Sequence, residues 1–197
     1  MNLKVKYLSY RQIGLMADQF LSSHHPSLSL PIPIEEIAEA KLNLKIIPAM
    51  KIKEQFDVDG CLNSDLTEIF IDYDIYMKYN NRARSTIAHE VGHFILHNDL
   101  FQTLNIKTSD DLHRLTEKIT EEEYGWLEFQ AYTFAGHILV PSKLLFKEIK
   151  DKLGKIPNKE TPEVLFPVLQ DLLDIFQVSG DVMLRRLQKE GIVKSSS

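Results

Sequence analysis

Between Arg82 and His97 the residues Ile87, Val91, Phe94 and Ile95 recur at helical spacing, and inside that helix stand His89, Glu90 and His93. No other feature of the chain restricts its fold as tightly. Residues four apart in an α-helix lie one turn above each other, so both imidazoles leave the same face. Two ring nitrogens can then each come within ~2.0–2.1 Å of one Zn²⁺. Glu90 is one step round the helix from His89. It lies at the flank of such an ion, where it can hydrogen-bond a bound water without being a ligand. Gly92 costs roughly 1 kcal/mol of helix stability relative to alanine, which is easier to explain if another element approaches closely there. The alternative is a pair of ordinary surface histidines, and the amphipathic setting and the glycine argue against it.

A catalytic zinc takes three protein ligands and keeps one position open, so a third ligand must come from another element. The best donor is Glu128, in a helical stretch whose face continues through Ala131, Ala135 and Leu139. The small residues let this helix pack closely on the first and carry the carboxylate toward the metal. Glu121, Glu122 and Glu123 are less attractive, because a run of acids at a helix start usually caps it and faces solvent.

The rest of the pattern reads as α+β. A first helix spans about Ser9 to Ser23 and ends at His24-His25-Pro26, a polar boundary rather than a metal site. Pro33 opens a short second helix, with Glu35 and Glu36 in its first turn. Strands are predicted at Leu42 to Ile47, stopped by Pro48, then near Val58 to Leu62 and Glu68 to Asp72. They make a small sheet of about three strands. The pattern is helical from Ile75 onward, with later helices at Glu121 to Leu139, Ser142 to Leu153, Pro162 to Phe176 and Asp181 to Lys189. Gly154 to Pro162 is the best hinge candidate, and the tail Ser195 to Ser197 should be disordered. This divides the chain into an N-terminal helix (1–30), a core of the zincin type (31–142) and a C-terminal helical extension (143–194).

These residues resemble the ImmA/IrrE family of zinc metallopeptidases. The likeness rests on the run from Arg84 to His97 and on Glu128-x-x-Ala131-x-x-Phe134-Ala135 continuing to Ile138-Leu139-Val140-Pro141. Asp59-Gly60-Cys61 and Ile69-Phe70-Ile71-Asp72 also look like the family's small sheet, so the similarity covers about residues 30 to 142. The resemblance implies a gluzincin-like site, with His89, His93 and Glu128 as zinc ligands and Glu90 as catalytic base. It implies cytoplasmic proteins encoded beside helix-turn-helix repressors, which studied members cleave. The chain departs from the family at Ser85, where an aromatic is usual, and at Tyr132, where asparagine is usual.

The chemistry expected is metal-assisted hydrolysis of a peptide bond, with Glu90 moving the proton from water to the leaving amine. Tyr132, one turn beyond Glu128, is a candidate oxyanion donor, although an aromatic packed in the helix interface is the plainer reading. His97, one turn past His93, is expected behind the ligands or at the surface, and His137 is in the same position. If Glu68 to Asp72 is a sheet edge beside the site, it could bind an extended substrate by backbone hydrogen bonds. Two other readings are a zinc-containing module that holds a transcription factor or antitoxin uncut, and a stress sensor in which metal occupancy is the signal. Glu90 favours catalysis, because a pure binding site has no use for a base. The net charge of −5 over 197 residues does not suit direct binding of nucleic acid. The start of the chain does not read as a signal peptide, and no apolar run approaches the ~20 residues needed to span a bilayer. Cys61 is the single cysteine, so no internal disulfide forms; it reads as a small, semi-buried residue.

Overall fold

A computed structural model describes residues 5–63, 65–104 and 120–194. Three long helices form its centre. Helix α1 (Tyr10–His24) starts at a capping box, in which the Ser9 hydroxyl accepts from the Gln12 N–H and the Gln12 side chain accepts from the Ser9 N–H. Its buried stripe Ile13, Ala17, Phe20 and Leu21 follows the predicted spacing. A short helix α2 (Ile34–Glu36) then runs into a π-turn at Ile37–Lys41.

Next come strand β1 (Lys45–Ala49), a short helix α3 (Ile52–Phe56), strands β2 (Gly60–Leu62) and β3 (Glu68–Asp72), and helix α4 (Tyr73–Lys78). Nothing in the sequence pattern announced α3. The sheet order is β1-β3-β2, with β1 parallel and β2 antiparallel to β3. Two expectations are corrected here. Pro48 does not stop β1 but lies inside it, opposite Ile71; β1 is an edge strand, where a missing N–H is tolerated. β3 is the middle strand, not an edge, because its alternate buried residues Ile69 and Ile71 face the core while it pairs on both sides.

Helix α5 (Asn80–Leu104) is longer than its hydrophobic pattern suggested. Helix α6 (Glu121–Leu139) begins at a second capping box, where the Glu123 carboxylate accepts from the Thr120 N–H. The acidic run therefore caps the helix, as expected. Helices α7 (Ser142–Leu153), α8 (Phe166–Phe176, after a 3-10 turn at Pro162–Leu165) and α9 (Gly180–Lys189) complete the described chain. The expected hinge is tied down at its far end. Lys159 and Glu160 donate to the carbonyls of Gly191 and Ile192, and Lys194 donates back to Glu160. The tail Ser195 to Ser197 lies outside the described residues.

Two glycines set the spacing around α5. A Cβ on Gly92 would stand 2.9 Å from the Ala131 carbonyl oxygen and 3.1 Å from its Cα, so α6 crosses α5 backbone to backbone. A Cβ on Gly60 would stand 2.6 Å from the Phe70 carbonyl oxygen and 2.7 Å from the Thr86 methyl. This absence of a side chain lets β2 lie directly on the other flank of α5. Helix α1 covers α6 from behind, with Phe20 edge-on to Phe134 at 5.5 Å between ring centres.

Candidate metal centre

The helical spacing does what the sequence argument requires. The Nε2 atoms of His89 and His93 are 3.0 Å apart. The close crossing at Gly92 brings Glu128 in from α6, with Oε2 3.2 Å from His89 Nε2 and Oε1 3.5 Å from His93 Nε2. Ligands held ~2.0–2.1 Å from one tetrahedral ion lie about 3.3 Å from each other. The three separations fall around that value, so His89, His93 and Glu128 are a group that could hold a metal ion. Two imidazole nitrogens and a carboxylate have little other reason to converge away from bulk water.

The electrostatics fit the same picture. Burial opposes charge on His89, but the hydrogen bond it donates to Glu128 and the charges of Glu90 and Glu128 outweigh it and raise its pKa. Burial likewise works against the Glu128 carboxylate, yet the two histidines hold its pKa well below the usual range. Glu128 is therefore held as a carboxylate beside the two imidazoles. Burial and the neighbouring Glu128 push the Tyr124 hydroxyl, one turn before that carboxylate, up to about 12.

Glu90 is buried but is not part of the converging group. Its Oε2 accepts the backbone N–H of Leu62 at 2.9 Å. On either side of Leu62, Asp59 and Asn63 pair with Asp72 and Glu68. By the alternation of an antiparallel ladder, the N–H groups of Gly60 and Leu62 therefore point away from β3. The strand edge that borders the centre is β2. Sequence reasoning missed this anchor, because a backbone donor 28 residues away leaves no signal in side-chain chemistry.

Tyr132 is not packed into a helix interface. It is 56% exposed, with its ring 4.1 Å from that of His89. His97 is buried behind His93, Nδ1 to Nδ1 at 3.1 Å, and its Nε2 lies 3.3 Å from Gln130 Oε1. Gln130 was also missed; its one sequence signal is an uncharged amide on a helix face filled, apart from His137, by apolar residues. His137 belongs to a separate buried cluster with Tyr10 and Arg186. A cleft of about 1280 Å³ runs over the centre. It is bordered by β2 on one side and by residues of α9, including Arg185 and Lys189, on another. Cys61 lines it, and burial pushes its thiol up to about 11, so it is not a nucleophile at neutral pH.

No helix among the described residues is long and apolar enough to cross a membrane. No curated protein matches the chain. Among solved structures, a Mycobacterium tuberculosis transcriptional regulator aligns with a TM-score of 0.60 at 13% identity; the match covers 92% of this chain and 47% of that one. At that identity the likeness concerns the fold, a predominantly helical α+β arrangement with a small mixed sheet. The chain thus spans about half the length of this structural relative. The family model of a peptidase family, described as the IrrE N-terminal-like domain, matches residues 75–188. That stretch holds all three converging residues, Glu90, and the helices expected as a C-terminal extension. The chain belongs to the IrrE N-terminal-like domain family of metallopeptidases.

Proposed function

We infer that the chain is a zinc-dependent endopeptidase that cuts one site in a protein substrate, a helix-turn-helix transcriptional repressor. The observation that carries the catalytic part is the pairing of two carboxylates with different places. Glu128 converges with the histidines, whereas Glu90 stands beside them with a backbone donor of its own. His89, His93 and Glu128 would hold the zinc. Zinc supplies Lewis acidity toward the scissile carbonyl and toward a water molecule. Glu90 takes the proton from that water and delivers it to the leaving amine. The Leu62 N–H fixes one oxygen of Glu90, so the carboxylate does not have to be ordered during the reaction. Tyr132, exposed and set against His89 in the cleft, is the side-chain donor assigned to the developing oxyanion.

The edge of β2, and not β3, is the proposed rail for an extended substrate segment, which would pair with the outward groups of Gly60 to Leu62 other than the Leu62 N–H held by Glu90. The repressor rests on the family resemblance. The acidic net charge favours encounter with a basic DNA-binding protein, though −5 is a weak lever. To test the reading, the zinc-loaded protein is mixed with the repressor encoded beside it and, separately, with casein. A single cut in the repressor that disappears with Glu90→Gln supports it. General digestion of casein would replace it with an unspecific protease, and a stable uncut complex with a binding module.

A further inference from the structure

His93, His97, Gln130 and the backbone of Lys6 form an unbroken line of hydrogen bonds, buried at the three side chains and ending at the exposed Lys6. The distances are 3.1 Å from His93 Nδ1 to His97 Nδ1, 3.3 Å from His97 Nε2 to Gln130 Oε1, and 2.9 Å from Gln130 Nε2 to the Lys6 carbonyl oxygen. The direction of every bond follows from its last member. A carbonyl oxygen only accepts, so the NH₂ end of Gln130 faces Lys6 and its oxygen faces His97. That oxygen needs a donor, so His97 carries its proton on Nε2. A neutral imidazole has one N–H, and His97 is buried between an imidazole and an amide, with no carboxylate of the described residues hydrogen-bonded to it. Its Nδ1 is therefore an acceptor, and the facing Nδ1 of His93 must be the donor. This leaves Nε2 of His93, the atom aimed at His89 and Glu128, with a bare lone pair.

We propose that His97 and Gln130 are positioning residues that fix His93 in the tautomer able to bind metal, with the Lys6 carbonyl as the fixed end that sets the direction. His89 supplies the contrast. Its Nδ1 is buried without a hydrogen-bond partner among the described residues, so no such line presets its tautomer. His93 is then the preformed ligand, and His89 is the one that adjusts when an ion enters. Outer partners of this kind usually alter metal affinity by about 10- to 100-fold. The proposal rests on the metal-binding half of the reading above and not on cleavage.

Two measurements test it. The first needs no variant: ¹⁵N shifts of the histidine ring nitrogens in the metal-free protein. The expected result is His93 protonated on Nδ1 and His97 on Nε2; His93 protonated on Nε2 overturns the proposal. The second is zinc affinity, by competition with a chromophoric chelator, for the native protein, Gln130→Leu and His97→Phe, each checked for folding by circular dichroism. Leucine removes the acceptor facing His97, phenylalanine removes the acceptor facing His93 Nδ1, and affinity should fall at least tenfold in both. Equal affinity in all three overturns the proposal. A loss in Gln130→Leu with none in His97→Phe also does so, because it would assign Gln130 only to holding the Lys6 segment. A protein that bound zinc as proposed yet cut nothing would refute the peptidase reading alone.

Discussion

Replacing Gly92 with alanine sets two known effects against each other at one atom. In an open helix the change stabilises by roughly 1 kcal/mol, because glycine is the poorer helix former. Here the added methyl would stand 2.9 Å from the Ala131 carbonyl oxygen and 3.1 Å from its Cα, where ordinary contact begins at 3.4 Å. Both neighbours are backbone in the middle of α6, so no side chain can swing aside. The helices must part by some tenths of an ångström, and overpacking of that kind costs about 1–3 kcal/mol. The steric effect should equal or exceed the propensity gain, leaving the metal-free protein up to ~2 kcal/mol less stable. For a chain of this size that lowers Tm by about 2–4 °C per kcal/mol. The metal reports the same displacement more sharply. Ligand distances tolerate only about ±0.2 Å, and Glu128 lies one turn before Ala131 on the displaced helix, so zinc affinity should fall about tenfold, ~1.4 kcal/mol. Urea denaturation of the metal-free variant and a chelator competition measure the two terms separately. A Gly92→Ala protein that is more stable than native and binds zinc unchanged would refute the close crossing as the device that positions Glu128.

Purified protein should bind one zinc per chain; Glu128→Ala should lose tight binding while Glu90→Gln keeps it, read by elemental analysis, and equal zinc loss in the two would remove Glu90 from its place beside the metal. Burial, helped by the charge of Arg186, depresses His137 to about 3. The native ring therefore stays neutral while the unfolded one takes up a proton below about 6.5. Stability is thus complete above that pH and is lost as pH falls toward 3, by up to ~1.4 kcal/mol per pH unit from this one group. Urea midpoints between pH 7 and 4.5 should fall less steeply for His137→Gln, and parallel curves would contradict the assignment. Arg186 is buried and donates to the Val140 carbonyl, the Ser142 and Tyr10 hydroxyls and the Glu190 carboxylate. Arg186→Met should therefore cost about 3 kcal/mol by taking the cation from a carboxylate of low exposure that keeps only the Tyr10 and Ser142 hydroxyls as donors, and a loss under about 1 kcal/mol by chemical denaturation would show that the cluster reorganises freely.

What the sequence determined by itself is the local part of this protein. His89, Glu90 and His93 could be placed because an α-helix converts spacing into direction, and that conversion needs no knowledge of the rest of the fold. The capping role of the acids before α6, the buried stripe of α1 and the existence of three strands followed from equally short-range rules. Glu128 stood at the border. Its helix was legible, but its arrival beside His89 and His93 depends on two backbones meeting at Gly92 and Ala131, for which the sequence offered only a run of small residues and a family likeness. The remainder was decided by tertiary structure alone. Strands of three to five residues carry too little pattern to reveal their order, so β3 could pass for an edge and β2 could not be recognised as the strand beside Glu90. Tyr132 could face either an interface or the cleft, since one helical position allows both until the neighbouring helices are in place. Gln130 and the Lys6 carbonyl are 124 residues apart, and their bond shows its effect only through His97 and His93. Hydrogen-bond direction is a property of a whole connected line of atoms, and only folding assembles that line.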